Sequence, residues 1–320
     1  MQEWDALDEA TKIEKTARAV VANPEDINLI MDLSLDKQTR VASLIKDICI
    51  KIGIKRDRIA AIVASPMCNT FTKLDHVNRE LGHNFREAAK PYAPRALDGT
   101  AEAAAKRKVA QDHDNMVENL LQSILKDREE GFEYDFCIEN PRALLRFRPY
   151  MIADAWMGVS SRCTADYCVF DHDYQKPTDL WHSFDAEWQP KGCTGDGKCH
   201  RKCGKGRYLS SGSWKHYKRH AGPAGSGVTG KDQMLQKWQI PHKLCEEVIQ
   251  QVKQVEGKDV VLDLFSGGES YRKSVEAAGY IYVPIDLKTL SKDDGTLELL
   301  LSSAAGEVAA KRQQMKQKQE

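Results

Sequence analysis

Four groups of side chains in this sequence have types and spacings that can do chemistry. Cys68 follows Ser65, Pro66 and Met67 directly after an apolar run, which puts a thiol on a turn at the end of a strand. A thiol held there is a candidate nucleophile. Its neighbours Asn69, Thr70 and Thr72 are polar, which sets it apart from a cysteine packed in an apolar stripe as a small hydrophobe. Glu139, with Asn140 and Pro141, closes a second apolar run. A carboxylate in that place is either a proton-handling group or part of a strand-end cap built on Asn and Pro turn chemistry. Asp263, Leu264, Phe265, Ser266, Gly267 and Gly268 form a strand end and glycine turn closed by Glu269 and Ser270. Such a turn lets backbone approach a nucleotide, and Asp286, about twenty residues on at the next strand end, is set to hold ribose hydroxyls. Neither G-x-G-x-x-G nor G-x-x-x-x-G-K-[ST] occurs, which argues against a dinucleotide and a P-loop. Finally, Cys193, Cys199, His200 and Cys203 bring three soft ligands and one imidazole together. These either hold a tetrahedral zinc, with His216 and His220 as alternative fourth ligands, or are reduced surface thiols.

The elements that would position these groups follow from apolar periodicity. Residues 5–22 read as a polar helix, 27–31 as a buried strand closed by Asp32, and 36–52 as a second helix. Residues 58–64 form a continuous apolar run stopped at Pro66, as expected for a central parallel strand buried on both faces. Residues 73–100 are polar and proline-containing, and 101–128 are helical with a stripe at Met116, Leu120, Leu121 and Ile124. Strands are expected at 134–138, 164–170, 178–183, 260–264 and 280–285, with a helix from Ile240 to about Val255 that opens on Pro241. Strands alternating with helices predict a doubly wound, mostly parallel sheet. Residues 187–231 are rich in Gly, Lys and His and poor in aliphatics, which marks an insertion.

Composition narrows the classes further. Lys and Arg total 47, as do Asp and Glu, so any contact with nucleic acid must come from a local patch. The insertion carries one: Arg201, Lys202, Arg207 and Lys215 are interleaved with Tyr208, Trp214 and Tyr217. That pattern suits phosphate contact, or a solvated charged loop. No apolar run approaches the roughly 20 residues of a bilayer helix. The acidic start lacks the layout of a secretion signal, and the clustered cysteines suit a reducing compartment, so an intracellular location is expected.

Taken together, these motifs resemble those of the cytosine-5 DNA methyltransferases, in their viral and phage-type branch. The turn from Asp263 to Gly267 with Pro284, Ile285 and Asp286 is similar to the family's S-adenosylmethionine-binding motifs, with Glu269 where a G-x-G turn has glycine. Ser65 to Cys68 resembles the Pro-Pro-Cys nucleophile loop, with Met67 replacing the second proline. Asn69 to Thr72 resembles its Gln-x-Phe-Ser continuation. Glu139, Asn140 and Pro141 resemble the Glu-Asn-Val/Pro motif, and Arg142 to Met151 its continuation in that branch. Tyr167 and Cys168, followed by Lys176 to Trp181, resemble the same branch, while Ile240 to Leu244 is similar to the closing helix beside the cofactor.

The resemblance implies a Rossmann-like methyltransferase sheet in residues 1–183 and 238–320, with 184–237 as a basic target-recognition insertion. It implies S-adenosylmethionine held by Asp263, Phe265, Ser266, Gly267, Gly268, Ser270, Asp286, Asp32, Ser65 and Pro66. Cys68 would be the nucleophile at cytosine C6 and Glu139 the group at N3, with Arg142, Gln175 and Lys176 near the nucleic acid. The motif order differs from the family's usual one, as a circular permutation cut between the strands ending at Asp286 and Asp32 would make it. DNA is the expected partner. The same chemistry on RNA, or a binding relative without turnover, are the alternatives, with zinc as a possible second cofactor.

Overall fold

A computed structural model of the 320-residue chain describes residues 44–68, 70–71, 85–86, 100–172, 176–193, 206–208, 214–216, 239–265 and 270–285. The expected helix at 5–22 and strand at 27–31 lie outside these residues. Chain contacts divide the molecule into two compact units, Met1–Asp47 with Met67–Phe132 and Asn140–Ser160, and Ile48–Pro66 with Glu133–Glu139 and Ser161–Glu320.

The second unit is organised by the sheet. In chain order its strands are β1 (Ile59–Ala64), β2 (Asp135–Pro141), β3 (Ser161–Asp166), β4 (Pro177–His182), β7 (Val260–Leu264) and β8 (Ile281–Ile285). They stand in the order β3-β4-β2-β1-β7-β8, giving a six-stranded sheet in a mixed α/β fold. Pairing is parallel between β1 and β2, β1 and β7, and β7 and β8, and antiparallel between β3 and β4. The mostly parallel sheet expected from the sequence is therefore what the chain forms. Every residue of β1 and β7 is buried, which explains why both read as apolar runs, broken only by Asp263 in β7. At their starts, Arg58 donates to the Asp259 carboxylate through Nε at 2.9 Å, and the Arg58 carbonyl accepts from the Asp259 N–H at 3.0 Å.

Helix α4 (His242–Gln250) buries Leu244, Cys245, Val248 and Ile249, and α5 (Arg272–Ala277) buries Ser274 and Val275. The buried residues of α4 join Ala61, Val63, Cys137, Val261, Tyr271 and Tyr282 in one core cluster. α4 stops short of the expected Val255 because its apolar face ends at Val252 and residues 253–257 are exposed. β3 also departs from expectation: it covers Ser161–Asp166, and Tyr167–Phe170 form a 3-10 turn. Its alternating burial hid it from a search for continuous apolar runs. Two short strands, β5 (Gly206–Tyr208) and β6 (Trp214–His216), pair antiparallel within the expected insertion.

The first unit holds α2 (Ala101–Glu129), α3 (Asp154–Met157) and the start of α1 (Leu44–Lys51), which falls within the helix expected over 36–52, whose residues 36–43 lie outside the described residues. Thr100 caps α2, its hydroxyl accepting from the Ala103 N–H at 3.1 Å. The buried stripe of α2 includes Val117, Leu120, Leu121 and Ile124, but also His113, Asp114 and Asp127, while Met116 is only partly covered. No helix among the described residues is long and apolar enough to cross a membrane.

Candidate functional site

The parallel register lines up one edge of the sheet. Ile138, Ala64, Leu264 and Ile285 are partners across β2, β1, β7 and β8. The described residues just beyond that line are Glu139, Ser65 and Phe265, all three of them chemistry-bearing positions from the sequence. Ligands of open α/β sheets bind beyond the carboxyl ends of the strands, which is this edge.

Glu139 is 4% exposed. Its Oε1 accepts a hydrogen bond from the Tyr167 hydroxyl at 2.7 Å and lies 3.8 Å from the Lys176 ammonium. Lys176 is itself buried, and its Nζ stands 4.6 Å from the centre of the Tyr167 ring. Lys176, expected near the nucleic acid, is thus paired with the acid within the protein. A buried charge is retained where it is paired. Burial and the Glu139 charge push the Tyr167 hydroxyl well above the usual tyrosine range, so it stays a donor. Tyr167→Phe removes one of the two described partners of a buried carboxylate. The expected loss is about 1.5–3 kcal/mol of stability, measured by denaturant unfolding.

Asp263 is 2% exposed, and its Oδ2 accepts from the Tyr282 hydroxyl at 2.6 Å. Arg272 lies 4.8 Å from the centre of the Tyr282 ring, which backs the tyrosine. Immediately after β7, Phe265 adopts φ +65°, and its N–H donates to the Ile285 carbonyl at 2.8 Å. A bulky residue in the left-handed region is a rare, costly conformation that clusters at functional turns. The Cys245 thiol, on α4, is pushed well above its usual range by burial, with the Asp263 and Glu139 carboxylates adding to it. That cysteine therefore feels both acids at once.

The remaining expected site residues are distributed as follows. Ser65 donates its N–H to the Leu264 carbonyl at 3.2 Å, its Oγ is buried without a hydrogen-bond partner among the described residues, and Pro66 is buried. Ser270 accepts from the Ile240 N–H at 3.3 Å, tying the turn to the start of α4. Arg142 is exposed and Cys193 half-buried, the latter donating its N–H to Asp166 at 2.9 Å. Arg207 and Lys215 are register partners on β5 and β6. Asp32, Gln175, Cys199, His200, Arg201, Lys202, Cys203, His220, Ser266, Gly267, Gly268, Glu269 and Asp286 lie outside the described residues. Among the described residues, no group of three or more His, Cys, Asp or Glu is arranged to hold a metal.

In the first unit, half-buried Cys68 opens a turn whose carbonyl accepts from the Phe71 N–H at 2.9 Å. A buried ion cluster accompanies that turn. Arg86 and Arg148 both bond Asp114, with Tyr150 donating to the same carboxylate at 2.8 Å. Burial alone would raise the Asp114 carboxyl, but Arg148 and Arg86 outweigh it and hold the group low. Sequence reading missed this cluster; the signal it left was a pair of polar residues, His113 and Asp114, on the buried stripe of α2.

Glu118, one turn along α2 from Asp114, is pushed up to about 7 by burial and by the Asp114 charge. A carboxyl raised in the fold stabilises it fully below about 4.5, and that contribution is lost as pH rises through about 7. Glu118→Gln is therefore expected to raise stability at pH 8 by roughly 1–3 kcal/mol and to change it little at pH 4.5. Thermal unfolding at the two pH values checks this; an equal shift at both contradicts it.

No protein-family model matches the chain, and no curated protein matches it. Among solved structures it is similar to the PvuII DNA methyltransferase (cytosine-N4-specific), with a TM-score of 0.32 and 11% sequence identity. The match covers 82% of this chain and 89% of that one.

Proposed function

We propose that this chain is an S-adenosylmethionine-dependent DNA methyltransferase acting on cytosine C5, with its motifs in circularly permuted order. The observation that carries the reading is the register line from Ile138 through Ala64 and Leu264 to Ile285. It gives the acid of β2, the chain leading to Cys68 and the strained turn of β7 a common sheet edge. Cys68 is four residue steps from Ala64, a reach of at most about 14 Å.

The cofactor fits what is described of the β7 turn. Phe265 takes the left-handed conformation immediately after β7, a kind of backbone that clusters at functional turns, and the Asp263 carboxylate is held by Tyr282. Asp263 and Phe265 would hold it, joined by Ser266, Gly267, Gly268 and the ribose-binding candidate Asp286. When bound, S-adenosylmethionine supplies an electrophilic methyl group.

The rest of the chemistry falls to the chain. Pyrimidine C5 is a poor nucleophile until C6 carries a thiolate. Cys68 forms the S–C6 bond, and Glu139 supports the proton at N3. Tyr167 and Lys176 both engage Oε1 of Glu139, so Oε2 is the oxygen turned to the base. C5 would then accept the methyl group as its bond to the sulfonium sulfur breaks and leaves a thioether, and transfer of the C5 proton to water would re-form the C5–C6 double bond and expel Cys68 as the thiolate. The target base leaves the duplex stack at a cost of about a few kcal/mol.

Arg142 and the basic hairpin of β5 and β6, with Arg201 and Lys202, are proposed to meet the DNA backbone. Cys193, Cys199, His200 and Cys203 are proposed to hold zinc; well under one equivalent of zinc in the purified protein rejects that part. The function is tested by incubating the protein with labelled S-adenosylmethionine and a cytosine-containing duplex, or the matching RNA, and hydrolysing the product to bases. Label in 5-methylcytosine from the duplex supports the reading. Label on the exocyclic amine, in RNA only, or nowhere overturns it.

A further inference from the structure

We infer that Arg86 is a positioning residue that holds the Cys68 turn in register with helix α2, an assignment that rests on the reading of Cys68 as the nucleophile. One guanidinium spans the two elements. Its Nε donates to the Thr70 carbonyl at 2.7 Å, while Nη1 and Nη2 donate to the two Asp114 oxygens at 2.8 and 2.9 Å. Its face also lies 4.7 Å from the centre of the Phe71 ring. Arg86 is 0% exposed and Asp114 2%, so these bonds form away from competing water.

The turn is pinned at further points. The Thr70 hydroxyl lies 3.0 Å from His113 Nδ1, and the Phe71 carbonyl accepts from the Leu144 N–H at 2.8 Å. Asp114 is in turn fixed by Arg148 at 2.5 Å and Tyr150 at 2.8 Å. Two full charges against one carboxylate make an expensive arrangement for stability alone, since a buried ion group is often replaceable by apolar packing. What an apolar group cannot reproduce is the planar fork, which fixes a backbone carbonyl relative to a carboxylate through bonds of set direction. The residue so fixed stands two positions beyond Cys68, and Phe71 closes the same turn onto the Cys68 carbonyl. A thiol that must meet C6 at bonding distance needs that constraint, because small misplacements of a reacting group cost large factors in rate.

Two measurements on the full-length protein decide this. Native-state hydrogen exchange of the wild type comes first: the Phe71 amide is expected to be protected within about tenfold of the Leu121 amide in the core of α2. Near-free exchange at Phe71 with Leu121 protected overturns the inference. The second is the rate of covalent capture by a 5-fluorocytosine duplex at saturating S-adenosylmethionine. Arg86→Lys keeps the charge but loses the fork, and is expected to slow capture about tenfold or more with cofactor affinity unchanged. Leu121→Ala, a packing lesion on the same helix, is expected to lower the melting temperature without a comparable loss of rate. Capture at the wild-type rate in Arg86→Lys, or an equal slowing in Leu121→Ala, overturns the positioning role while the methyltransferase reading stands. No capture by wild type, with Phe71 protected, removes the nucleophile reading and leaves the anchoring of the turn intact.

Discussion

Cys68→Ser is expected to abolish methyl transfer to cytosine, by at least about a thousandfold, while leaving the fold and cofactor binding in place. A serine hydroxyl is almost wholly protonated near neutral pH, so no anion forms to add at C6. Without that bond C5 stays too electron-poor to take a methyl group. The substitution is close in size at a half-buried position outside the core, so the melting temperature is expected to move by only a few degrees. Labelled-methyl incorporation into a duplex reads the first effect, and calorimetric titration with S-adenosylmethionine reads the second. Turnover retained within about tenfold would mean that the thiol forms no bond to the substrate.

Glu139→Gln is expected to lower turnover by about a hundredfold to ten-thousandfold, the usual range for losing a positioned proton-handling group. The substitution also disturbs Tyr167 and Lys176, both of which are built around the carboxylate. Lys176, buried and deprived of its counter-charge, is expected to cost a further few kcal/mol of stability, of the order of about 3–5. The two consequences separate in the double variant Glu139→Gln with Lys176→Met. Removing the orphaned ammonium should restore much of the stability and none of the turnover. Recovery of both would show that Glu139 acts only as a structural partner of Lys176.

Much of the sheet is legible in the sequence because its central strands are buried on both faces. β1, β7 and β8 are apolar nearly throughout, β2 has an apolar centre at Phe136, Cys137 and Ile138, and Pro66, Pro141 and Asp286 mark the ends of β1, β2 and β8. β3 was harder to see: its outward residues are polar, and its apolar end, Tyr167 to Phe170, coils into a 3-10 turn. That coil brings the Tyr167 hydroxyl to Glu139, a partner 28 positions away. The pairing of Lys176 with Glu139 is hidden for a related reason. In sequence the lysine is one more cation beside a proline, and only the fold shows it buried against an acid. The Arg86, Asp114 and Arg148 cluster joins residues 28 and 34 positions apart, beyond the reach of any local pattern. The strained backbone at Phe265 is equally hidden, since a phenylalanine side chain gives no sign that its residue takes the left-handed conformation.

The most direct measurement is peptide mapping of the protein after reaction with S-adenosylmethionine and a duplex carrying 5-fluorocytosine, whose fluorine cannot leave C5 as a proton does. The account predicts one nucleotide linked to the sulfur of Cys68, and no linkage in Cys68→Ser. A link to another residue, or a methylated product with no link at all, would contradict it.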